Sequence, residues 1–578
     1  MRRGRLVVTL GCLALGATGC VGIPDEGPVV ESQSDVDPSE ELGYYNDPPP
    51  PTPGAPPTDI VQGFLDAQQA IPVQTNTAEL FLTADEAATW QPERGTITYA
   101  AASFPQGSDQ VAVDLDGANQ IDARGSWRGP VPREDQDLSF TMKREDGEWR
   151  IDDAPDVRVV PDSWFGQAYR RVSLFYLDPT ATILVPEPVF VPRGDQLASS
   201  LVDALLRGPI DSLDDVERSA IPSGLKLDLS VSVTNQGVAE VPLGGDVPMP
   251  TEQDAALMLA QIGRTLSQDF TLSEFRVTID GEPVTLAGPL TTFRMDQGGV
   301  IDPTGSPSTS LLFGLREGRL VVGPPGELEE ATGPMGIEDR GVRSIGVNLA
   351  GSQVAGVSTA GDTVLLTEVR DSEAVVDDIL SDGNHLLPPV WDSANRVWMV
   401  NRPASGAQIV VYDRGRRRTV DVPGISGEKV SQVLVSRDGS RLIAVLDRRL
   451  GDRVMVSRLR YDVRGRALGG TGAREISWED QTRLTVLDIG WSSPTSIVIA
   501  HRLSGDLFQV RTMSVDGAPA GVASLATTVQ DRPRALVSSP IAADPVLVDT
   551  REGLLDALSG SRLSQPNPEL TFLTYVGG

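Results

Sequence analysis

One cysteine and its neighbours carry the plainest chemistry in this chain. Ala17-Thr18-Gly19-Cys20 ends a stretch in which Arg2, Arg3 and Arg5 form a basic region and Leu6 to Leu15 a mostly apolar one, the build of a secretory signal peptide. The apolar run falls short of the roughly 20 residues that cross a bilayer as a helix. Small residues close on Cys20, so its thiol is placed to take a diacylglycerol and become the mature N-terminus. Residues 1–19 are therefore read as a lipoprotein signal peptide and Cys20 as the lipidation site. The expected location is the extracytoplasmic face of the cell membrane, anchored rather than spanning. Cys20 would be the only cysteine left after processing, which rules out a disulfide within the mature chain.

Other reactive constellations are missing. The two histidines, His385 and His501, are far apart in sequence and lack the clustered His or Cys partners of a zinc site. There is no Gly-x-Ser-x-Gly elbow for a serine hydrolase and no Gly-Lys-Ser/Thr of a P-loop. Asp114-Leu115-Asp116-Gly117 lacks the glutamate and spacing of a calcium loop and reads as the turn ending a strand. Trp391 and Trp491 occupy equivalent places in two repeats and are expected to pack between them rather than to stack on sugars. No catalytic residue, metal or cofactor is expected.

The elements that position these residues fall into several units, as 578 residues allow. The net charge is −31, with only three lysines, Lys143, Lys226 and Lys429. Such a surface repels nucleic acid and anionic headgroups, so no nucleic-acid partner is expected. Residues 20–57 form an acidic stretch followed by Pro48 to Pro51, Pro53, Pro56 and Pro57. That composition predicts a disordered tether ending in a stiff spacer of about 3 Å per residue.

Over residues 58–155, Thr58-Asp59 is a candidate cap for a helix carrying Ile60, Val61, Phe64, Leu65 and Ile71, and a second helix is expected over Thr77 to Trp90. Alternating strands follow, the last two joined by an Asp146-Gly147-Glu148 turn. Helices before a curved antiparallel sheet resemble an NTF2-like α+β cone. Residues 156–295 open with strands at Val172 to Tyr176 and Ile183 to Val191, then a helix at Gln196 to Leu206 stopped by Gly208-Pro209. Next come alternating runs at Leu225 to Val233 and Val238 to Val241, a helix from Thr251 to Leu266, and a hairpin around Asp280-Gly281. This order, with the segments Leu197 to Pro209 and Phe275 to Gly281, resembles a GerMN domain.

Residues 310–578 repeat. Asn348, Asp392 and Ser436 mark copies 44 residues apart, and Ser492 a looser one. Each copy is a strand, a polar turn and further strands, the signature of a β-propeller blade. A propeller of about five or six blades is expected, with Leu311 to Val322 and Leu570 to Tyr575 completing one blade from the two ends.

The whole, a multidomain α+β plus all-β chain, is similar over essentially its full length to the actinobacterial lipoprotein LpqB family. The resemblance implies a non-enzymatic accessory that contacts the extracytoplasmic domain of an MtrB-type sensor histidine kinase and modulates MtrAB two-component signalling, and with it cell-wall homeostasis and division. The competing expectation is a lipoprotein that binds cell-wall glycan or solute. An aromatic content of 5% argues against a carbohydrate specialist.

Overall fold

The computed structural model describes residues 45–577 apart from 105–109, 195, 210–214, 287, 289, 305–307, 477–483, 520–525, 542, 565, 566 and 568. Cys20, the signal peptide and the acidic part of the tether lie outside the described residues. Residues 46–57 are not a free spacer. Asn46 exchanges backbone hydrogen bonds with Ile71 at 3.0 and 2.9 Å, Asn46 Nδ2 donates to the Gln69 carbonyl, and the Gly54 amide donates to Glu148 Oε2 at 2.6 Å. Pro48 is buried. The proline-rich run is thus strapped to the first folded unit.

That unit begins with the helix Pro57–Ala67, capped at Pro56, two residues earlier than a cap at Thr58 would place it. Proline suits this first position, where its missing N–H would have had no partner. The helix buries Ile60, Val61, Phe64 and Leu65 as the spacing predicts, but it ends at Ala67, and Ile71 instead bridges to Asn46 as extended chain. Phe64 meets Trp90 and Phe140 at centroid distances of 5.2 and 6.0 Å. In place of one helix over Thr77 to Trp90 there are two short ones, Asn76–Glu79 and Ala84–Ala87. Thr83 breaks them: its backbone is extended and its hydroxyl accepts from the Glu86 amide, capping the second. Two four-stranded sheets complete the unit. In one, Asp137–Glu145 and Glu148–Asp153 turn through Asp146 and Gly147, both at positive φ. In the other, Arg158–Pro161 pairs parallel with Gly95–Tyr99, so this sheet continues past residue 155.

The central unit pairs Tyr169–Leu177 with Leu184–Pro192 in a long hairpin. The helix Leu197–Leu206 follows, and Gly208 ends it at φ +73°. Thr251 caps the helix Glu252–Leu266 by accepting from the Asp254 amide. Val238–Gly244 and Glu274–Ile279 run parallel beneath it. The run Leu225 to Val233 yields only Lys226–Leu227 and Ser232–Val233, each pairing with Val238–Gly244, and Leu229 between them is exposed. Buried Gln261 ties helix to hairpin: its Nε2 donates to the Phe175 carbonyl at 3.0 Å while its Oε1 accepts from the Ala220 amide.

Among the described residues, 312–574 form six antiparallel sheets, each packed against the next in chain order. Leu570–Thr574 pairs with Leu312–Arg316, so the last strand completes the first sheet, as the alternation at both ends predicts. Leu312 and Tyr575 share a core with Val537 and Leu547 of the sixth sheet, which closes the ring and leaves no free end to the series. The repeat has a local cause. Asn348 Oδ1 accepts from the amides of Ser352 and Gln353, Asp392 Oδ1 from those of Ala394 and Arg396, and Ser436 Oγ from that of Arg441. One polar side chain per copy closes the turn between first and second strands. In the looser copy Ser492 Oγ is buried without a partner among the described residues.

Candidate functional site

A cluster of buried ionisable groups strongly altered by their surroundings lies where the central unit abuts the ring. From the central unit, Glu187 stands between Pro186 and Pro188 on the strand Leu184–Pro192. Glu217 is fixed because the next residue, Arg218, exchanges backbone hydrogen bonds with Leu177 at 2.7 and 2.8 Å. From the ring, Arg441 and Arg458 come from neighbouring strands of the fourth sheet, Arg441–Leu446 and Arg453–Tyr461, where they are directly opposite in register. Like charges so placed repel. The carboxylates of the other unit make the pairing tenable. Glu187 Oε1 lies 2.6 Å from a guanidinium nitrogen of each arginine, Arg458 Nη2 is 3.0 Å from Glu217 Oε2, and Arg441 Nη2 also donates to the Pro186 carbonyl at 2.7 Å.

The two carboxyls differ sharply. Burial alone would raise Glu187, but the charges of Arg441 and Arg458 more than reverse it and hold it below the usual range. Glu217 is pushed up to about 8, by burial first and then by the negative charge of Glu187. The pair therefore holds one proton near neutrality, with Glu217 donating to Glu187. Arg458 is raised, since Glu187 and Glu217 outweigh the effect of its burial. Chemically this is an electrostatic latch that retains a proton.

The latch has a margin and a second point. Arg460 pairs with Asp215, and the Tyr461 amide donates to the Asp215 carbonyl at 2.7 Å. Beside it lies a cavity of about 270 Å³ lined in part by Asp178, Thr180, Arg396, Asp438 and Tyr461. Buried Asp392 takes Arg396 Nε at 2.7 Å and Trp398 Nε1 at 2.8 Å, and the Arg396 guanidinium lies over the Tyr461 ring at 4.1 Å. Farther along the hairpin, Arg171 pairs at 2.7 Å with Asp516, in the turn after the fifth-sheet strand Leu507–Ser514. The first unit joins as well: the Phe190 amide donates to the Gly125 carbonyl, and Trp127 packs on Phe190.

The residues singled out from sequence do not converge. Cys20 lies outside the described residues. His385 is an exposed loop residue at φ 46° whose carbonyl accepts from Arg402 Nε. His501 is buried on the strand Ser496–Ser504, within 3.2 Å of Gln509 Oε1, and burial lowers its pKa. Trp391 and Trp491 are 1% exposed, and Trp391 Nε1 donates to the Gly346 carbonyl of the preceding sheet. Asp114 to Gly117 form the end of a strand and a turn, with Gly117 at φ +65°. Among the described residues no group of three or more His, Cys, Asp or Glu side chains is placed to hold a metal. No described helix is long and apolar enough to cross a membrane. The latch residues were missed because nothing local marks them. They become a site only when two distant segments meet.

Residues 50–166 match the family described as Lipoprotein LpqB, N-terminal domain; residues 173–285 that described as Sporulation and spore germination; and residues 318–561 that described as Lipoprotein LpqB beta-propeller domain. A Lipoprotein LpqB of Streptomyces avermitilis is 25% identical over 610 residues, which cover 99% of this chain and 98% of the relative. One of Thermobifida fusca is 24% identical, with 99% and 98% covered. One of Mycolicibacterium smegmatis is 26% identical over 49% of this chain and 50% of the relative. A solved β-propeller domain, that of Myceliophteria thermophila Cps50 (Swd1), aligns at a TM-score of 0.30 and 10% identity over 42% of this chain and 76% of that chain.

Proposed function

We propose, on the premise that this chain belongs to the LpqB lipoprotein family, that it is a lipid-anchored accessory of an MtrB-type sensor histidine kinase. A lipid on Cys20 holds it at the extracytoplasmic face. There it binds the kinase's extracytoplasmic domain, modulates MtrAB signalling, and so affects cell-wall homeostasis and division. It acts as a binding partner, not a catalyst. In this reading the first unit is an NTF2-like scaffold and each of the six sheets is one propeller blade.

The observation that carries the reading is the alignment of the whole chain with relatives of the same name and length. The geometry adds a physical reason. Ionic contacts fasten the central unit to the ring, so a partner meets a surface of fixed shape and loses less in ordering it. Confinement by the lipid raises the effective concentration, which lets modest contacts suffice. To modulate the kinase the protein must bind one of its signalling states better than the other.

Calorimetric titration of the chain from Val21 onward against the kinase's extracytoplasmic domain tests this. Saturable binding is expected. Absence of a complex, both in solution and with the two proteins confined on liposomes, would overturn it.

A further inference from the structure

Between the third and fourth sheets the ring opens a cleft of about 660 Å³. Its walls carry Arg414, Arg416, Arg417, Arg418, Arg464 and Arg466 against only two carboxylates, Asp413 and Asp462. In a chain of net charge −31 this is a pronounced local reversal of sign.

The sheet register shows where the charges point. Arg416 pairs with Asp413 and Arg418 with Val411 across the strands Gln408–Asp413 and Arg416–Val420, so these four share the face that forms one wall. Arg417, opposite Tyr412, belongs to the other face, and it pairs with Asp382 at 3.2 Å. The facing wall is the turn Asp462 to Arg466. Asp462 is already engaged there, accepting from the amides of Arg464 and Arg466 and from Arg466 Nε at 3.0 Å. The side chains of Arg416 and Arg464 have no ion pair or hydrogen bond among the described residues, and both walls are open to solvent.

A second observation concerns the backbone. Arg414 sits at φ 48° before Gly415 at φ 77°, the first central position of a tight hairpin turn that favours Asn, Asp or Gly. An arginine there carries a local conformational cost, and the turn gains a charge at the cleft rim. The opposite turn likewise sets Arg464 and Arg466 on either side of Gly465, at φ 76°.

We propose that this cleft binds a ligand carrying two or more phosphate groups. Guanidinium groups offer planar pairs of donors that match phosphate oxygens. Two walls with unpaired guanidiniums favour an anion that bridges them and carries several charges over a short span. The surrounding negative surface repels anions from the rest of the protein and leaves the cleft as the place where an anion gains most. The binding is independent of the kinase reading. Two sources share this chemistry, a soluble phosphate-bearing molecule and the headgroups of a phospholipid surface.

The test uses the chain from Val21 onward, which carries neither the signal peptide nor the lipid, titrated with inorganic tripolyphosphate, with citrate, and with vesicles of cardiolipin, whose headgroup carries two phosphates. Arg416→Gln/Arg464→Gln is the variant, since these exposed side chains support no other contact and the fold is expected to persist. Saturable, salt-sensitive binding of tripolyphosphate, weaker for citrate and reduced at least tenfold in the variant, is expected and indicates a soluble source. Binding of the vesicles alone, reduced equally in the variant, supports the cleft with a lipid source. No binding of either phosphate probe, binding unchanged in the variant, or citrate binding as tightly as tripolyphosphate would overturn the proposal.

Discussion

Arg441 and Arg458, directly opposite each other on adjacent strands, both close on one atom, Glu187 Oε1, at 2.6 Å each. Two guanidiniums this close are stable only with an anion between them, and that anion belongs to a different unit of the protein. Glu187→Gln keeps the shape and removes the charge, leaving both arginines buried against an amide. Breaking a buried pair in this way costs about 3–5 kcal/mol. A fall in Tm is expected, with the ring and the units before it melting in separate calorimetric transitions. One transition at the wild-type temperature would show that the latch does not hold the units together.

Glu217 makes the same junction sensitive to pH. Its folded pKa of about 8 lies above the ordinary 4.5, with burial the larger cause and the charge of Glu187 the next. A carboxyl raised on folding binds its proton more tightly in the native state. Its contribution is therefore complete below about pH 4.5 and is lost as pH rises through about 8. Glu217→Gln keeps a neutral hydrogen-bonding side chain and removes the titration. Between about pH 5 and pH 9 the wild type is expected to lose stability relative to this variant. Asp488, pushed up by burial to about 7, titrates in both proteins and cancels in the difference. A difference in Tm that stays constant across this range would refute the shared proton.

What could be read from sequence is what local physics repeats. Asn348, Asp392 and Ser436 recur because each closes the same turn with its own side chain, and the end strands were recognisable because their alternation needs a partner on each side. The helix expected over Thr77 to Trp90 was misread for an equally local reason: apolar spacing continues through Thr83, and only its capping hydroxyl betrays the break. The latch was illegible because Glu187 and Arg441 are 254 residues apart. The arginine cleft is not legible, because its two Arg-Gly-Arg turns are far apart in the chain and a charge balance summed over the whole sequence conceals a patch of opposite sign. Cys20 is marked by its signal alone.

Trp391 and Trp491 offer a paired test of packing in the ring. Both are buried to the same degree, but their indole nitrogens differ. Trp391 Nε1 donates to the Gly346 carbonyl at 2.9 Å, a contact made close by the glycine, since a Cβ at 346 would lie 1.9 Å from the Pro389 carbonyl oxygen. Trp491 Nε1 has no partner among the described residues. Truncation to alanine removes a large core side chain in either case and is expected to cost about 3–5 kcal/mol. Replacement by phenylalanine separates them. Trp391→Phe also gives up this buried hydrogen bond, whereas Trp491→Phe gives up none, so the former is expected to cost about 0.5–1.5 kcal/mol more, measured as the difference between their falls in Tm. If these rings instead formed platforms for a sugar, alanine at either position would leave Tm unchanged and abolish binding of wall fragments.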